Sequence, residues 1–130
     1  METKPVYNED LHFEHEQWTR ELAFWEDELR TFKNRLAELL NRWSDKSDLA
    51  TLDHFENRFK IHQSKIEDFR HRIHAHELNI ARHYEAGEIV MDRVHFNYHL
   101  EFREQMQMQR SIYLELKNEF YHFVTQYMNK

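Results

Sequence analysis

The sequence predicts an all-α fold, an up-down-up antiparallel three-helix bundle with coiled-coil-like heptad packing, and three observations predict it. The chain of 130 residues holds one Gly and one Pro, so it has few places to turn and must run in long elements. Its apolar residues recur at alternating intervals of three and four, the spacing of one helix face. That pattern breaks twice, at a polar segment and at a glycine, which leaves three helices. Residues 1–130 read as one helical-bundle domain, since nothing in the chain resembles a linker.

Helix 1 is expected over residues 9–43. Its seam is Leu11, His15, Trp18, Leu22, Trp25, Leu29, Phe32, Leu36, Leu39 and Trp43, with His15 alone not a hydrophobe. Asn8 suits the N-cap, and Glu9 and Asp10 follow in the first turn, where acids complement the helix dipole. Ser44-Asp45-Lys46-Ser47-Asp48 then offers side chains that compete for backbone hydrogen bonds, which marks a turn and a cap for the next helix. Helix 2, over residues 48–84, resumes the seam with Leu52, Phe55, Phe59, His62, Ile66, Phe69, Ile73, His76, Ile80 and His83. A continuous helix through Gly87 would put Gly87 and Val94 on the seam, but the next pattern is Asp92, His95, His99, Phe102, Met106, Gln109, Tyr113, Leu116, Phe120, Phe123 and Tyr127. The register jumps, so Gly87 is read as the left-handed residue that ends helix 2, and helix 3 is expected over residues 88–128.

Short turns make consecutive helices antiparallel neighbours, and counting from the turns sets the levels. Residues whose numbers sum to about 92 face each other across helices 1 and 2, and those summing to about 174 across helices 2 and 3. His15 comes level with Glu77 and beside His76; His76 comes level with Tyr98 and beside His99; His83 lies beside Asp92. The seam histidines other than His62 thus converge at one end of the bundle. Imidazoles and carboxylates projecting from several helices are how bundles hold metal ions. The candidate ligands are His15, His76 and His99 in an inner layer, with His83, His95, Asp92 and Glu88 beyond it. A divalent transition metal (zinc, iron, manganese, nickel or copper) suits that donor set. The competing reading is a hydrogen-bonded network of neutral histidines. His62 stands apart, near Gln109 and Tyr113, and is expected to hydrogen-bond one of them and fix helix register. His12, His54, His71, His74 and His122 fall off the seam and are read as solvated.

The HxxxH spacing of His95 and His99 resembles that of hemerythrin-type bundles, but the fourth helix of those bundles is missing, and no family assignment follows. The bridging carboxylates of a dinuclear oxidase are absent too, which favours storage, sensing or structural binding over oxygen chemistry. With no cysteine there is neither thiolate nucleophile nor disulfide, and no Gly-rich phosphate loop or serine beside a base is present, so an enzyme is not the expectation. A formal charge of −6 argues against nucleic acid. Glu2, Glu9, Asp10, Glu14 and Glu16 interrupt the first twenty residues, so neither a signal peptide nor a membrane anchor is expected there, and the default location is cytoplasmic. The rival function is a non-enzymatic structural or scaffolding bundle. Leu100, Leu114, Tyr121 and Met128 form a second stripe on helix 3, suited to a homodimer or a protein partner.

Overall fold

The computed structural model describes residues 7–42, 46–87 and 93–128. Their regular structure is three helices, α1 (Asn8–Arg42), α2 (Lys46–Glu85) and α3 (Arg93–Met128). None of the three is long and apolar enough to cross a membrane.

The first bonds of α1 run from Asp10 and Leu11 N–H to the Tyr7 carbonyl, at 3.1 and 3.4 Å, so Tyr7 holds the cap position expected of Asn8. Asn8 is instead buried inside the first turn, with Glu9 and Asp10 still at the positive end of the dipole. α2 begins at Lys46, two residues before the expected start, and Asp48 sits in its first turn, where an acid suits the dipole. Gly87 ends α2 as the sequence predicts. Its φ is +83°, the left-handed region open to a residue without Cβ, and its N–H bonds the Tyr84 carbonyl at 3.0 Å. Residues 43–45, and with them Trp43 and part of the first turn, lie outside the described residues, as do 88–92 and the expected start of helix 3.

The seams are buried as their spacing requires. On α1 every seam residue from Leu11 to Leu39 is buried. On α2, Leu52, Phe55, Phe59, His62, Ile66, Phe69, Ile73 and Ile80 are buried, and His76 and His83 half-buried. On α3, His99 through Phe123 follow the same spacing into the core, and His95 is half-buried.

Ring contacts give the levels. Phe32 meets Phe59 and Trp25 meets His62 between α1 and α2; His62 meets Tyr113 and Phe69 meets Phe102 between α2 and α3. Between α1 and α3, Glu14, Glu21 and Glu28 each pair with a cation 89 positions further on, Arg103, Arg110 and Lys117. The two arginines bind their carboxylates through two nitrogens, at 2.7 to 3.0 Å.

The apolar interior is divided. A large cluster runs from Phe32, Phe55, Phe59 and Phe120, the last edge to face with Phe55 and Phe59, to Trp18, Ile73 and Phe102. A second, small one joins Leu11 and Ile80, with Phe96 against them. His15, His76 and His99 stand between the two clusters.

If this seam register is correct, neighbouring positions on α2 respond very differently to truncation. Phe59→Ala removes a fully buried ring and is expected to cost about 3–5 kcal/mol in urea unfolding. Ile61→Ala, at a side chain 63% exposed, is expected to stay within about 0.5 kcal/mol of wild type.

Candidate functional site

Three helices each contribute one histidine to the dividing layer because each has a histidine on its seam at that level. The His15 ring centroid lies 5.0 Å from that of His99 and 5.6 Å from that of His76. Trp18 stacks on His99 at 5.0 Å and Tyr98 on His76 at 4.4 Å, so aromatic faces close the layer on two sides. Beyond the small apolar cluster, His83 and His95 meet edge to face at 5.2 Å. The structure therefore brings His15, His76 and His99 together, and His83 and His95 together. Asp92 and Glu88, the carboxylates expected beside them, lie outside the described residues.

Carboxylates from the flanks of the helices reach into the layer. His15 donates from Nδ1 to Glu77 at 2.5 Å, and His99 donates from Nε2 to Glu14. Arg103 grips the same Glu14. A carboxylate only accepts, so these bonds fix the tautomers. On the neutral rings the lone pair falls on Nε2 of His15 and Nδ1 of His99, and the latter is buried without a hydrogen-bond partner. An orphan of this kind costs about 1–3 kcal/mol. Among the described residues, no group of three or more His, Asp or Glu side chains is placed to hold one metal ion.

Burial sets the protonation of the layer. It holds His15 and His99 below the usual histidine value, against the pull of Glu77 and Glu14. It lowers His76 to about 4, helped by the neighbouring His15 and His99. Glu14 is itself lowered: desolvation works to raise it, but its bonds from Arg103 and His99 prevail. His12 goes the other way. Its two nitrogens face Glu77 at 2.6 Å and Glu16 at 2.7 Å, and the Glu77 bond raises it.

His62 forms a second polar point, deep in the core and apart from the layer. It is 2% exposed, stacks on Tyr113 at 4.6 Å, and accepts at Nδ1 from Gln109 Nε2, which is the partner the sequence suggests. Burial lowers it to about 4, and its Nε2 has no hydrogen-bond partner.

Sequence reasoning placed Glu77 level with His15 and His12 on the solvated surface, where it is, but missed Glu14 and Arg103 and the two carboxylates that His12 bonds. The signal was available. Glu14, Glu21 and Glu28 recur every seven residues beside the seam, as do Arg103, Arg110 and Lys117, the pattern of flanking charges in heptad packing. No family model, curated protein or solved structure matches the chain.

These protonation states imply an acid-labile fold. Above pH 6.5 the buried rings are neutral folded and unfolded alike, and stability is undiminished. As pH falls from 6.5 toward about 4, the unfolded chain takes up protons that folded His62 and His76 refuse. Each such group then removes up to about 1.4 kcal/mol per pH unit. The exposed His12 opposes this weakly, its share being present below 6.5 and lost as pH rises through its raised value. Urea unfolding at pH 7.5, 5.5 and 4.5 should show a steep decline, flatter in His62→Phe. A profile level from 7.5 to 5 contradicts buried neutral histidines.

Proposed function

We propose that this chain is a non-enzymatic scaffolding bundle, up-down-up with heptad packing, that acts by self-association along its α1–α3 side. The observation that carries this reading is an apolar surface left uncovered there. Phe13, Phe24 and Leu114 are each more than half exposed. Phe24 and Tyr121 share the Lys117 ammonium, 5.7 Å from each ring, and Tyr121 in turn meets Phe32 edge to face. At this level the Lys117 ammonium, which Glu28 also binds, bridges the exposed rings of α1 and α3. Such rows on a bundle mark an interface more often than a free surface.

Of the second stripe expected on helix 3, Leu100 is half-buried, Tyr121 is 46% exposed against Phe32, and the Met128 side chain lies outside the described residues. Leu114 is therefore the residue that tests the interface. Wild type is expected to sediment as a dimer, and Leu114→Glu as a monomer with unchanged helicity, because an exposed position accepts the charge when alone but not when paired. A wild-type monomer at high concentration removes this reading.

One observation favours the metal-binding reading as a second. Metal-bound histidines characteristically give their other N–H to a carboxylate, which raises the basicity of the ligating nitrogen. His15 and His99 are arranged in that way by Glu77 and Glu14. Under this reading His15, His76 and His99 bind a divalent transition ion, with His83, His95, Asp92 and Glu88 around it. Melting of the demetallated protein at pH 7.5 separates the two. Zinc, iron, manganese, nickel or copper ions should raise the melting temperature if the layer is a site. The rise should vanish in His76→Ala, His99→Ala and survive in His54→Ala. No rise with any of them leaves the layer a structural network.

A further inference from the structure

On the α1–α3 side the charges are sorted by helix. Glu14, Glu21 and Glu28 stand on α1, and Arg103, Arg110 and Lys117 stand at the same levels on α3. Glu14, Glu21, Phe24, Arg103 and Arg110 line one groove, so the two columns share a face. They remain open to further partners. The side chains of Glu21 and Arg110 are 28% and 44% exposed. Both arginines hold their carboxylates through Nε and Nη2, which leaves Nη1 of each without a bond among the described residues.

The most exposed apolar residues here fall between the rungs. Phe24 lies three residues after Glu21 and four before Glu28; Leu114 lies four after Arg110 and three before Lys117. Residues three and four apart share a helix face, so both project with the charged columns. Counting by the 89 positions that separate each acid from its cation brings Phe24 to within one residue of the level of Leu114. Both are more than half exposed.

Two copies can meet on this face about a twofold axis in two ways. With the axis across the helices, α1 lies antiparallel on α1 and α3 on α3, so acids meet acids and cations meet cations. With the axis along the helices, α1 of each copy lies parallel on α3 of the other, and every column meets its opposite. Juxtaposed like charges are disfavoured, whereas unlike ones fix the register of an interface. We propose that self-association, on which this inference rests, takes the second form. A second copy packs with its helices parallel to the first, Phe24 and Leu114 of both copies at the centre and Glu21 of each facing Arg110 of the other. A chain of net charge −6 can meet its own copy there because the ladder itself is balanced, each acid beside a cation.

The chain has no cysteine, so a spin label goes to a single introduced thiol. Ala23→Cys, Arg30→Cys and Ala37→Cys lie seven apart at exposed positions of α1, off the ladder. In labelled dimers the proposed pairing gives the same copy-to-copy separation at all three, to within about 5 Å, whereas an antiparallel one shifts the labels axially by about 20 Å per heptad. A charge reversal tests the columns. Glu21→Arg, Arg110→Glu keeps the pair within the chain with its sign inverted, and this variant should dimerise with itself as wild type does. Mixed with wild type it should form heterodimers at about one in ten rather than the statistical half, because each reversed charge then faces its like. Separations that step between Ala23, Arg30 and Ala37, or free mixing of the two chains, overturn this arrangement and leave self-association standing. A wild-type monomer overturns both.

Discussion

Because each helix offers its neighbours only a stripe of side chains three and four residues apart, whatever occupies that stripe is taken out of water, and His15, His62 and His99 are, at 2, 2 and 1% exposure. The rest of the structure responds to this constraint. A buried imidazole is cheaper neutral than charged, so His15, His62, His76 and His99 lose basicity, whereas His12, one helical turn from His15 but off the seam, gains it. Position on the helix determines which occurs. A neutral ring has one donor and one acceptor, and the core supplies no complete set of partners for either.

The partners come from the flanks. Glu14 and Glu77 are half-exposed residues whose chains are long enough to reach inward while part of each carboxylate stays near water. Glu14 serves twice, accepting from buried His99 and binding Arg103 through two nitrogens. One residue thus ties the interior layer to the charged ladder on the surface. The ladder continues as Glu21 with Arg110 and Glu28 with Lys117, and Glu28 also accepts from the buried Tyr113 hydroxyl at 2.7 Å. Exposed ion pairs contribute little individually. Here two of them are the outer ends of hydrogen bonds that satisfy core groups, which is worth more than the pairs alone.

Much of this was legible in the sequence, because a period is a strong signal and a long helix repeats it many times. The three seams, the left-handed Gly87, the His15–His76–His99 layer and the His62–Gln109 pair all follow from counting. What counting missed has common causes. The helix starts at Asn8 and Lys46 depend on which carbonyl accepts the first bond, and side-chain preference predicts that only to within a residue or two. Glu14 and Arg103 were overlooked since charged residues beside a seam are normally solvated. Only their recurrence every seven residues distinguishes them, and that is visible only when two helices are compared.

A seam that repeats every seven residues has a weakness, since sliding one helix by a heptad returns apolar residues to apolar neighbours at little cost. The histidines remove that degeneracy. Slid by seven against α2, His15 would face Phe69 or His83 in place of Glu77, and its buried N–H would lose its acceptor. The same displacement against α3 would separate Glu14 from His99, even where Arg110 came to stand in the place of Arg103. Each orphaned group carries a desolvation penalty of about 1–3 kcal/mol, whereas the correct register satisfies them at once. His62 with Gln109 repeats the device at mid-length, so two separated polar levels must align simultaneously, and few displacements satisfy both. Uniformly apolar seams pack as tightly but distinguish poorly among registers. The acid sensitivity of this core is therefore the counterpart of its specificity: the same buried imidazoles that select one register are the groups whose protonation disfavours it.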